Sequence, residues 1–525
     1  VYVLYLPVTY LTKAEKSHLL SSFWYNSSMN STQFTSEITE LKQRLSDKDQ
    51  RIKTLEEYIR YMKQQQFGAS SEKLSADQMV LFDESEALDL DIDTEDETVD
   101  IPTHTRKKKR ASIPAHLPRT DIIHDLPENE KVCPKDGTEL KHIGDEYSEQ
   151  LNYIPAKIDV LRHVRRKYAC PCCQSYLITA SKPPQAIERS IASPILLATI
   201  AIQKYCDGLP LYRQAGIFKR LGIELDRGSL ANWMIKCGQL IQPLINLLFD
   251  HARMQQVLHM DETVLQVLQE KGRSAQQQSR MWVMTTASHS TLSAVLYHYS
   301  ETRSAAEAAY MLDGFSGALM TDGYGAYDAL AKEQQIIQLG CWAHARRYFM
   351  DAKKAQPKGK SGKADQALAL IQRLYRVEKQ MLHATSEERH VAREQTSRLI
   401  LQQLRQWLDK SLENPIKQGK LAQALTYLNN QWPKLTRYTE NGEWPIDNNR
   451  AENAVRPFVI GRKNWIFAAT PKGASASANL YSLIETAKAN GIEPSAYLAE
   501  VFTKLPLVKS VEDIEVLLPW NVKEK

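Results

Sequence analysis

The stretch Gln255–Leu268, QQVLHMDETVLQVL, is rich in apolar and β-branched residues and is interrupted by Asp261 and Glu262. A run of this kind predicts a strand. Two further strand-like runs follow it, RMWVMTTAS from residue 280 and SAVLYHYS from residue 293. Together the three runs predict a meander whose first strand carries an acidic pair.

The segments after the meander alternate between helix and strand. SAAEAAYMLDGF predicts an amphipathic helix, GALMTDGYGAYDAL a buried strand that ends at Asp322 before a turn and a helix, and IIQLGCWAHARRYF a strand that leads into a basic helix. Three strands, helix, strand, helix, strand is the element order of a ribonuclease H-like domain. In such a domain one carboxylate lies mid-way on the first strand and another at the end of the fourth, which are the places of Asp261 and Asp322.

A third carboxylate, Glu452, lies in the stretch PIDNNRAENAVRPFVIGRKNWIF, from residue 445 to residue 467. We expect a helix there with Asp447 as its N-cap, which puts Glu452 in the second turn. Arg456 shares the face of Glu452 at i+4, where it is suited to hold a phosphate or to orient the carboxylate. Pro457 is expected to end or kink the helix.

Three converging carboxylates suit metal-dependent chemistry on a phosphodiester. Such chemistry uses two cations, one that activates the attacking oxygen and one that stabilises the leaving oxygen, and Mg²⁺ prefers oxygen ligands. We therefore predict two Mg²⁺ or Mn²⁺ ions held by the catalytic residues Asp261, Asp322 and Glu452. The gap of 452 − 322 = 130 residues between the last two is too long for one connection. Its composition predicts a helical insertion at about residues 363–438.

The N-terminal part of the chain has three predicted segments. Residues 1–28 begin with Val1 and make a poor signal peptide, so we expect a non-native leader before a true start at Met29; a genuine short element is the alternative. Residues 29–66 carry a heptad pattern that favours a coiled coil and self-association over a helix packed on its own domain. Its core positions are Ile38, Leu41, Leu45, Lys48, Ile52, Leu55, Ile59 and Met62. Residues 67–118 are expected to be a charged linker.

A zinc-finger-like module is predicted at residues 119–185. Cys170 and Cys173 form a CxxC pair, Cys133 is a third candidate ligand, and Asp136 stands where a second knuckle would place its cysteine. Cys172 and His142 are alternatives for the fourth ligand, and a ribbon without metal is the competing interpretation. The adjacent basic residues Arg165, Arg166 and Lys167 suit phosphate contacts.

Residues 186–250 are expected to form a helical DNA-binding region. AGIFKRLGIELDRGSLANWMIKCGQLI predicts helix, turn and helix, with Ser229 as a plausible N-cap. That pattern is compatible with a helix-turn-helix that enters a major groove, and an ordinary packed hairpin fits it equally well. The catalytic domain is then predicted at residues 251–475 and a C-terminal helical element at residues 476–525.

Composition and charge are those of a multidomain α+β protein without a membrane span. Of 525 residues, 43% are hydrophobic and 25% charged, and the longest apolar run, Ile191–Ile202, is too short to cross a bilayer. The net charge is +5, but Asp83–Asp100 holds ten acids; without them 67 bases face 52 acids, or +15. That excess suits a polyanion such as DNA. Seven cysteines without a disulfide framework favour a reduced, cytoplasmic protein.

Several motifs resemble those of the large transposase of the insertion sequence 66 family, the TnpC type of bacterial mobile elements. These are HMDET, TDGYGAY, GCWAHARRYF, NNRAENAVRPFVIGRKNWIF, FGASSEKL and SLIETAKANGIEPSAYLAEVF, and the resemblance covers nearly all of the chain after Met29. It implies a D-D-E site made of Asp261, Asp322 and Glu452. It also implies cutting at terminal inverted repeats and joining of the freed 3′-hydroxyls to target DNA. The chain departs from many members at Asp136, where they have cysteine.

The resemblance also implies a nucleoid-associated bacterial protein that works on DNA as a homo-oligomer, with possible accessory proteins of the same element. DNA contacts near the scissile phosphate are expected from the basic helix after the fifth strand and from the glutamate helix. The candidates are Trp342, His344, Arg346, Arg347, Arg456 and Lys463. Core packing of Trp342 and a solvated helix face for Arg346 and Arg347 fit the sequence equally well. The alternatives are a DNA-binding regulator with a decayed catalytic domain and a hydrolytic nuclease that does not join ends.

Overall fold

The computed structural model describes residues 157–169, 177–356, 361–413 and 418–522, with short pieces and single residues before residue 157 (39, 41–46, 48–49, 52, 56, 120–122, 135 and 150). The expected leader, most of the heptad segment and of the charged linker, and the four zinc-ligand candidates Cys133, Asp136, Cys170 and Cys173 lie outside these residues. Residues 41–46 are helical, with Leu41 and Leu45 exposed.

The central element is a mixed sheet built on the strand that carries Asp261. Its strands are β3 (Val257–Gln266), β4 (Gln278–Thr286), β5 (Val295–Ser300), β6 (Ala318–Thr321) and β7 (Ile337–Gly340), and their order across the sheet is β5-β4-β3-β6-β7. The first three strands are antiparallel, whereas β6 is parallel to β3 and to β7. Because β3 is the middle strand, both its edges are paired, which agrees with its apolar sequence.

Helices cover the sheet and fill the gap between Asp322 and Glu452. They are α1 (Pro194–Tyr205), α2 (Leu211–Arg220), α3 (Arg227–Leu240), α4 (Gln242–Arg253), α5 (Ala305–Met311), α6 (Ala326–Glu333), α7 (Trp342–Ala355), α8 (Lys363–Gln380), α9 (Ser386–Ala392), α10 (Arg398–Glu413), α11 (Lys420–Thr436), α12 (Asn449–Trp465), α13 (Pro471–Ala489), α14 (Pro494–Lys504) and α15 (Val511–Glu515). A π-helix, Arg393–Ser397, joins α9 to α10.

The predicted helical insertion is present as α8 to α11. Its core is formed by apolar residues from all three long helices, such as Ile371, Leu404 and Leu428, packed against Phe349 of α7. Since α7 leads directly out of β7, this packing ties the insertion to the end of the sheet at which Asp322 lies.

The C-terminal part of the chain belongs to the same core. Helix α13 crosses the boundary expected at residue 475, and its side chains bond the edge strand β5: the backbone N–H groups of Val295 and Tyr297 donate to the hydroxyls of Thr486 (3.0 Å) and Ser482 (2.7 Å). Gly238 of α3 lies against Ala476, where a Cβ atom would come within 2.6 Å of its backbone. Residues 182–525 fall in one compact unit, and residues 92–181 form another.

The second unit contains a two-stranded antiparallel ribbon, β1 (Lys167–Ala169) and β2 (Leu177–Thr179). Arg165 extends the ribbon, because its Nε donates to the carbonyl oxygen of Ala180 at 2.6 Å. The side chains of Arg165, Arg166 and Lys167 are exposed.

The predicted N-cap at Ser229 is wrong, and so is one of the two outcomes expected at Pro457, that it ends the helix. The N-cap of α3 is Asp226, whose carboxylate accepts from the backbone N–H and the hydroxyl of Ser229, so Ser229 is inside the helix. Pro457 does not end α12, which continues to Trp465. A proline removes only one backbone hydrogen bond, and α12 is held from outside by Tyr297, whose hydroxyl donates to the carbonyl of Ala454.

None of the described helices is long and apolar enough to cross a membrane.

Candidate active site

Asp261 lies in the middle of β3, opposite Val283 of β4. Its Oδ1 accepts the backbone N–H of Glu262 at 2.8 Å. Burial, together with the charges of Glu262, Glu452 and Asp322, raises the pKa of Asp261 to about 8. Arg303 contacts both Glu262, the residue after Asp261, and Asp322, and Asn448 at the start of α12 bonds to the carbonyl of Met260, the residue before Asp261. The elements that carry Asp261, Asp322 and Glu452 are therefore neighbours in the structure.

Asp322 is the first residue after β6 and begins a tight loop. Its Oδ1 accepts the backbone N–H of Tyr324 at 2.9 Å, and its backbone carbonyl accepts the hydroxyl of Tyr427 at 3.0 Å. Gly323 has a φ of +89°, and a Cβ atom there would lie 2.9 Å from the side chain of Gln431. Only glycine satisfies both conditions. Helix α11 of the insertion therefore fixes the loop that presents Asp322.

Glu452 projects from the first turn of α12, and its carboxylate is only 10% exposed. Its Oε2 accepts from Nη2 of Arg347 at 2.7 Å. Its Oε1 lies 3.3 Å from Nδ1 of His344, yet it is buried and has no hydrogen-bond partner among the described residues. A buried carboxylate oxygen that accepts no hydrogen bond is costly, so beyond its contact with His344 this oxygen can take a further ligand.

The asparagine pair before Glu452 positions the helix. Asn448 is fully buried, and its Nδ2 donates to the carbonyl of Met260 at 2.9 Å while its Oδ1 lies 3.1 Å from Nδ1 of His259. Its backbone N–H donates to the thiol of Cys341 at 3.2 Å. Asn448 therefore joins α12 to β3 beside Asp261 and to the end of β7. Burial lowers the pKa of His259 to about 3, so this imidazole is neutral at neutral pH.

Asp447 is one residue further from the helix than predicted, because Asn448 occupies the N-cap position. Its carboxylate still accepts the backbone N–H of Asn449 at 3.0 Å and also accepts the hydroxyl of Tyr375 at 2.9 Å. Glu452 consequently lies at the end of the first turn rather than in the second.

Comparison with known proteins gives a family for this arrangement. The model described as Transposase IS66 family matches residues 189–476, and the model described as IS66 C-terminal element matches residues 482–520. The chain belongs to the IS66 transposase family. Two further models match the N-terminal part: the zinc-finger binding domain of transposase IS66 at residues 130–174 and the Transposase C of IS166 homeodomain at residues 54–122.

Similar full-length proteins come from Sinorhizobium fredii (strain NBRC 101917 / NGR234). Uncharacterized protein y4jD is 34% identical over 78% of this chain and 81% of its own length. Uncharacterized protein y4qI is 31% identical over 93% of this chain and 92% of its own length. The likeness to y4qI thus extends over almost the entire chain.

Two charged residues that the sequence reasoning did not assign also lie at the site. The guanidinium of Arg303 pairs with the carboxylate of Glu262 and lies 3.9 Å from Asp322 Oδ2. It stacks on the ring of Tyr324 at 3.6 Å. Burial raises the pKa of Glu262, while the charge of Arg303 opposes that rise. The adjacency of Glu262 to Asp261 was a usable signal, whereas nothing in the loop around Arg303 indicates its position.

The candidate DNA-contact residues divide into three groups. Trp342 is completely buried, and its Nε1 donates to the carbonyl of Leu435 at 2.8 Å, so the prediction that it stacks on DNA is wrong: its ring belongs to the core of the insertion. His344 and Arg347 face Glu452, as described above. Arg346 and Arg456 are half-buried, and Lys463 is exposed near the end of α12.

Cys341, His344 and Glu452 form a compact group whose ligand atoms all lie within 4.8 Å of one another. The Cys341 thiol is fully buried, which raises its pKa well above the usual range and keeps it protonated. Arg347 contacts both other members, with Nη1 3.1 Å from Nε2 of His344. A protonated thiol and an adjacent guanidinium disfavour a cation between the three residues, so we interpret the group as a support that holds Glu452.

Proposed function

We propose that this chain is a D-D-E transposase that cuts DNA at the ends of a bacterial insertion sequence and joins the freed ends to target DNA. The observation that carries the proposal is that contacts through Arg303 and Asn448 bring together the three elements that carry Asp261, Asp322 and Glu452. In addition, Oε1 of Glu452 accepts no hydrogen bond from the described residues. The order β5-β4-β3-β6-β7, with three antiparallel strands followed by two parallel ones, supports a ribonuclease H-like fold for the catalytic domain.

The donor set fits hard divalent cations. Four carboxylates lie together, including Glu262, and the charges of the other three oppose ionisation of Asp261. Such a cluster is stable in its ionised form only with added positive charge, and its oxygen ligands suit Mg²⁺ or Mn²⁺. Asp261, Asp322 and Glu452 would hold two ions. The ions would supply an activated attacking oxygen and stabilise the leaving oxygen of the phosphodiester.

The side chains around the three acids have distinct parts in this chemistry. Arg347 and His344 hold Glu452 from the α7 side, which fixes the direction of its carboxylate. Arg303 lies between Glu262 and Asp322, where its charge can meet a phosphate of the substrate. Burial and Arg347 lower the pKa of His344, although the charge of Glu452 opposes this, so we assign His344 a positioning role as a neutral imidazole.

The DNA partner is supported by three further features. The zinc-finger match at residues 130–174 supports a zinc ion, for which we propose Cys133, Cys170, Cys173 and, less usually, Asp136 as ligands. Helices α2 and α3 follow one another with a short connection, which is compatible with a helix-turn-helix. The exposed Arg165, Arg166 and Lys167, together with Lys463, provide phosphate contacts. Self-association through the heptad segment would bring two element ends together in one complex.

The test is a strand-transfer assay with pre-cut element ends and a supercoiled target plasmid. We expect joining that requires Mg²⁺ or Mn²⁺. A hydrolytic nuclease would cut the ends without joining them, and a regulator with a decayed catalytic domain would bind the ends and do neither. Either of those outcomes contradicts the proposal.

A further inference from the structure

A groove lies on the helical insertion and has no part in the chemistry described so far. Its volume is about 640 Å³, and its lining comes mostly from α11, with Tyr348 of α7. Gln423, Thr426 and Asn430 are among the lining residues and recur with the spacing of one helical face. A volume of this size is within the range of small-ligand clefts.

The groove adjoins the Asp322 loop. Tyr427, one of its lining residues, donates its hydroxyl to the backbone carbonyl of Asp322 at 3.0 Å. Gln431, another, lies against Gly323, the residue that follows Asp322. The groove is therefore within reach of a DNA strand whose phosphate is bound at Asp322.

The lining has the chemistry of a nucleobase site rather than of a phosphate site. Among the described residues none that lines the groove is charged, whereas Gln423, Asn430 and Gln431 present amides. An amide offers a donor and an acceptor side by side, as the edge of a base does. The Oε1 atom of Gln431 is buried and has no hydrogen-bond partner within the described part of the chain.

An aromatic pair completes the lining. The rings of Tyr348 and Tyr427 are stacked, with centroids 4.6 Å apart and planes 28° apart. Tyr427 is held by its bond to Asp322, and Tyr348 is 38% exposed. A fixed tyrosine pair with an accessible outer ring is a surface on which a base taken out of a duplex can stack.

We propose that this groove binds one unpaired nucleobase of the DNA strand that carries the scissile phosphate. The inference rests on the proposed function, because it needs DNA at Asp322. Stacking on Tyr348 and hydrogen bonds to the amides of α11 would offset the free energy lost when the base leaves the duplex. The insertion would thereby open the duplex at the point of cleavage, which gives the connection between Asp322 and Glu452 a role in the reaction.

The experiment measures the coupling between the groove and a single base. Binding of the full chain to a duplex with the element's terminal repeat is measured in buffer without divalent ions, so that no cleavage occurs. The duplex is intact or carries one abasic nucleotide, placed in turn at each position around the cleavage point. The double variant Gln423→Ala, Asn430→Ala is compared with the wild type. For each protein we take the ratio of its affinity for the intact duplex to its affinity for the abasic duplex. At one position we expect this ratio to differ about tenfold between the wild type and the double variant.

Gln402→Ala on α10 is the matched control, because it removes an exposed amide of the insertion that does not line the groove. It should leave the ratio at its wild-type value. Equal ratios for wild type and double variant at every position overturn the inference, and so does a chain that fails to bind the repeat. The proposed chemistry is judged separately, by loss of joining in Glu452→Gln, so a negative coupling result does not by itself reject it.

Discussion

Two buried glutamates in this protein are satisfied in different ways. Glu270, between β3 and β4, has a side chain only 1% exposed. Its Oε1 accepts from the hydroxyls of Ser279 (2.5 Å) and Tyr299, and its Oε2 accepts from Nη1 of Arg273 at 2.7 Å. Both oxygens are therefore bonded within a short stretch of the chain.

Glu452 is almost as deeply buried, but among the described residues only its Oε2 accepts a hydrogen bond, from Arg347, whereas its Oε1 lies 3.3 Å from Nδ1 of His344. Its charge also faces that of Asp261. A carboxylate that serves only stability is completed by its own chain. A buried carboxylate oxygen that accepts no hydrogen bond and lies beside other acids is a candidate ligand for a cation. This difference in bonding is why we propose a catalytic part for Glu452 and a structural part for Glu270.

The largest expected effect is the loss of DNA cleavage and joining when Glu452 is replaced. Glu452→Gln keeps the shape and removes the charge, so cleavage and joining of element ends should fall about 1,000-fold or more. Asp261→Asn and Asp322→Asn should do the same, and binding of the ends should remain near normal. Glu270→Gln is the matched control, and its activity per folded molecule should stay within a few-fold of wild type. If Glu270→Gln and Glu452→Gln lose the same amount of activity, the proposed difference in function between the two glutamates is wrong.

Glu270→Gln, which should keep its activity, should instead lose stability. Glu270→Gln removes the counter-charge of Arg273, whose side chain is 20% exposed, and leaves an uncharged amide in a site built for a buried carboxylate, which should lower the free energy of unfolding by about 2 kcal/mol. Urea unfolding followed by circular dichroism measures this. Glu394→Gln, which removes a partly exposed partner of Arg398, should cost less than about 1 kcal/mol. If both variants lose the same amount, Glu270 is not the buried anchor that its contacts indicate.

Asp261→Asn should stabilise the protein in buffer without divalent ions. Asp261 is buried next to Glu262, Glu452 and Asp322, so a neutral amide relieves both desolvation and repulsion. A gain of about 2 kcal/mol in the free energy of unfolding is expected. Differential scanning calorimetry with and without Mg²⁺ measures it, and the gain should shrink when Mg²⁺ is present. A loss of stability would mean that the three acids do not oppose one another.

Much of this molecule follows from local pattern. The alternation of apolar runs predicted each strand of the sheet, and the acids at the middle of β3 and after β6 were assigned from element order alone. Features that depend on long-range contacts were missed. Arg303 approaches Glu262 through a loop, and the burial of Trp342 results from packing by the insertion, which begins 363 − 342 = 21 residues later. Helix periodicity cannot indicate which face of a helix a distant segment will cover.

Capping residues show the same limit on a smaller scale. Ser229 and Asp447 were both assigned as N-caps from residue type, and each is displaced by a few residues at most. Several residues before a helix can accept a backbone N–H, and tertiary contacts choose among them. At α12 the choice falls on Asn448 because its amide also bonds Met260 of β3.

A smaller effect is expected from replacing Arg303, which lies beside the proposed metal ligands. Its guanidinium pairs with Glu262 and faces Asp322, so it competes with a cation for those carboxylates. Arg303→Gln should therefore bind Mg²⁺ more tightly in calorimetric titration, yet it should cut and join about 10- to 100-fold more slowly because a phosphate contact is lost. Arg398→Gln in the insertion is the control and should change neither quantity. Weaker metal binding in Arg303→Gln would show that the guanidinium only supports the carboxylates.

The smallest expected effect is at Asp447, a third buried acid that resembles Glu270 in its bonding. Its oxygens accept from the backbone N–H of Asn449 and from the hydroxyl of Tyr375, and burial raises its pKa from 3.8 to about 6. A raised pKa means that the folded state favours the protonated carboxyl, so this contribution to stability is complete below pH 3.8 and is lost as the pH rises through about 6.

Asp447→Asn cannot ionise and avoids that loss. The variant should therefore gain about 1–2 kcal/mol relative to wild type between acidic and neutral pH, while its joining activity stays within a few-fold. Unfolding curves of both proteins across this pH range measure the difference in stability, and joining assays measure the activity. A constant difference in stability would remove Asp447 as the titrating group, and an inactive Asp447→Asn beside an active Glu452→Gln would make Asp447 the third ligand.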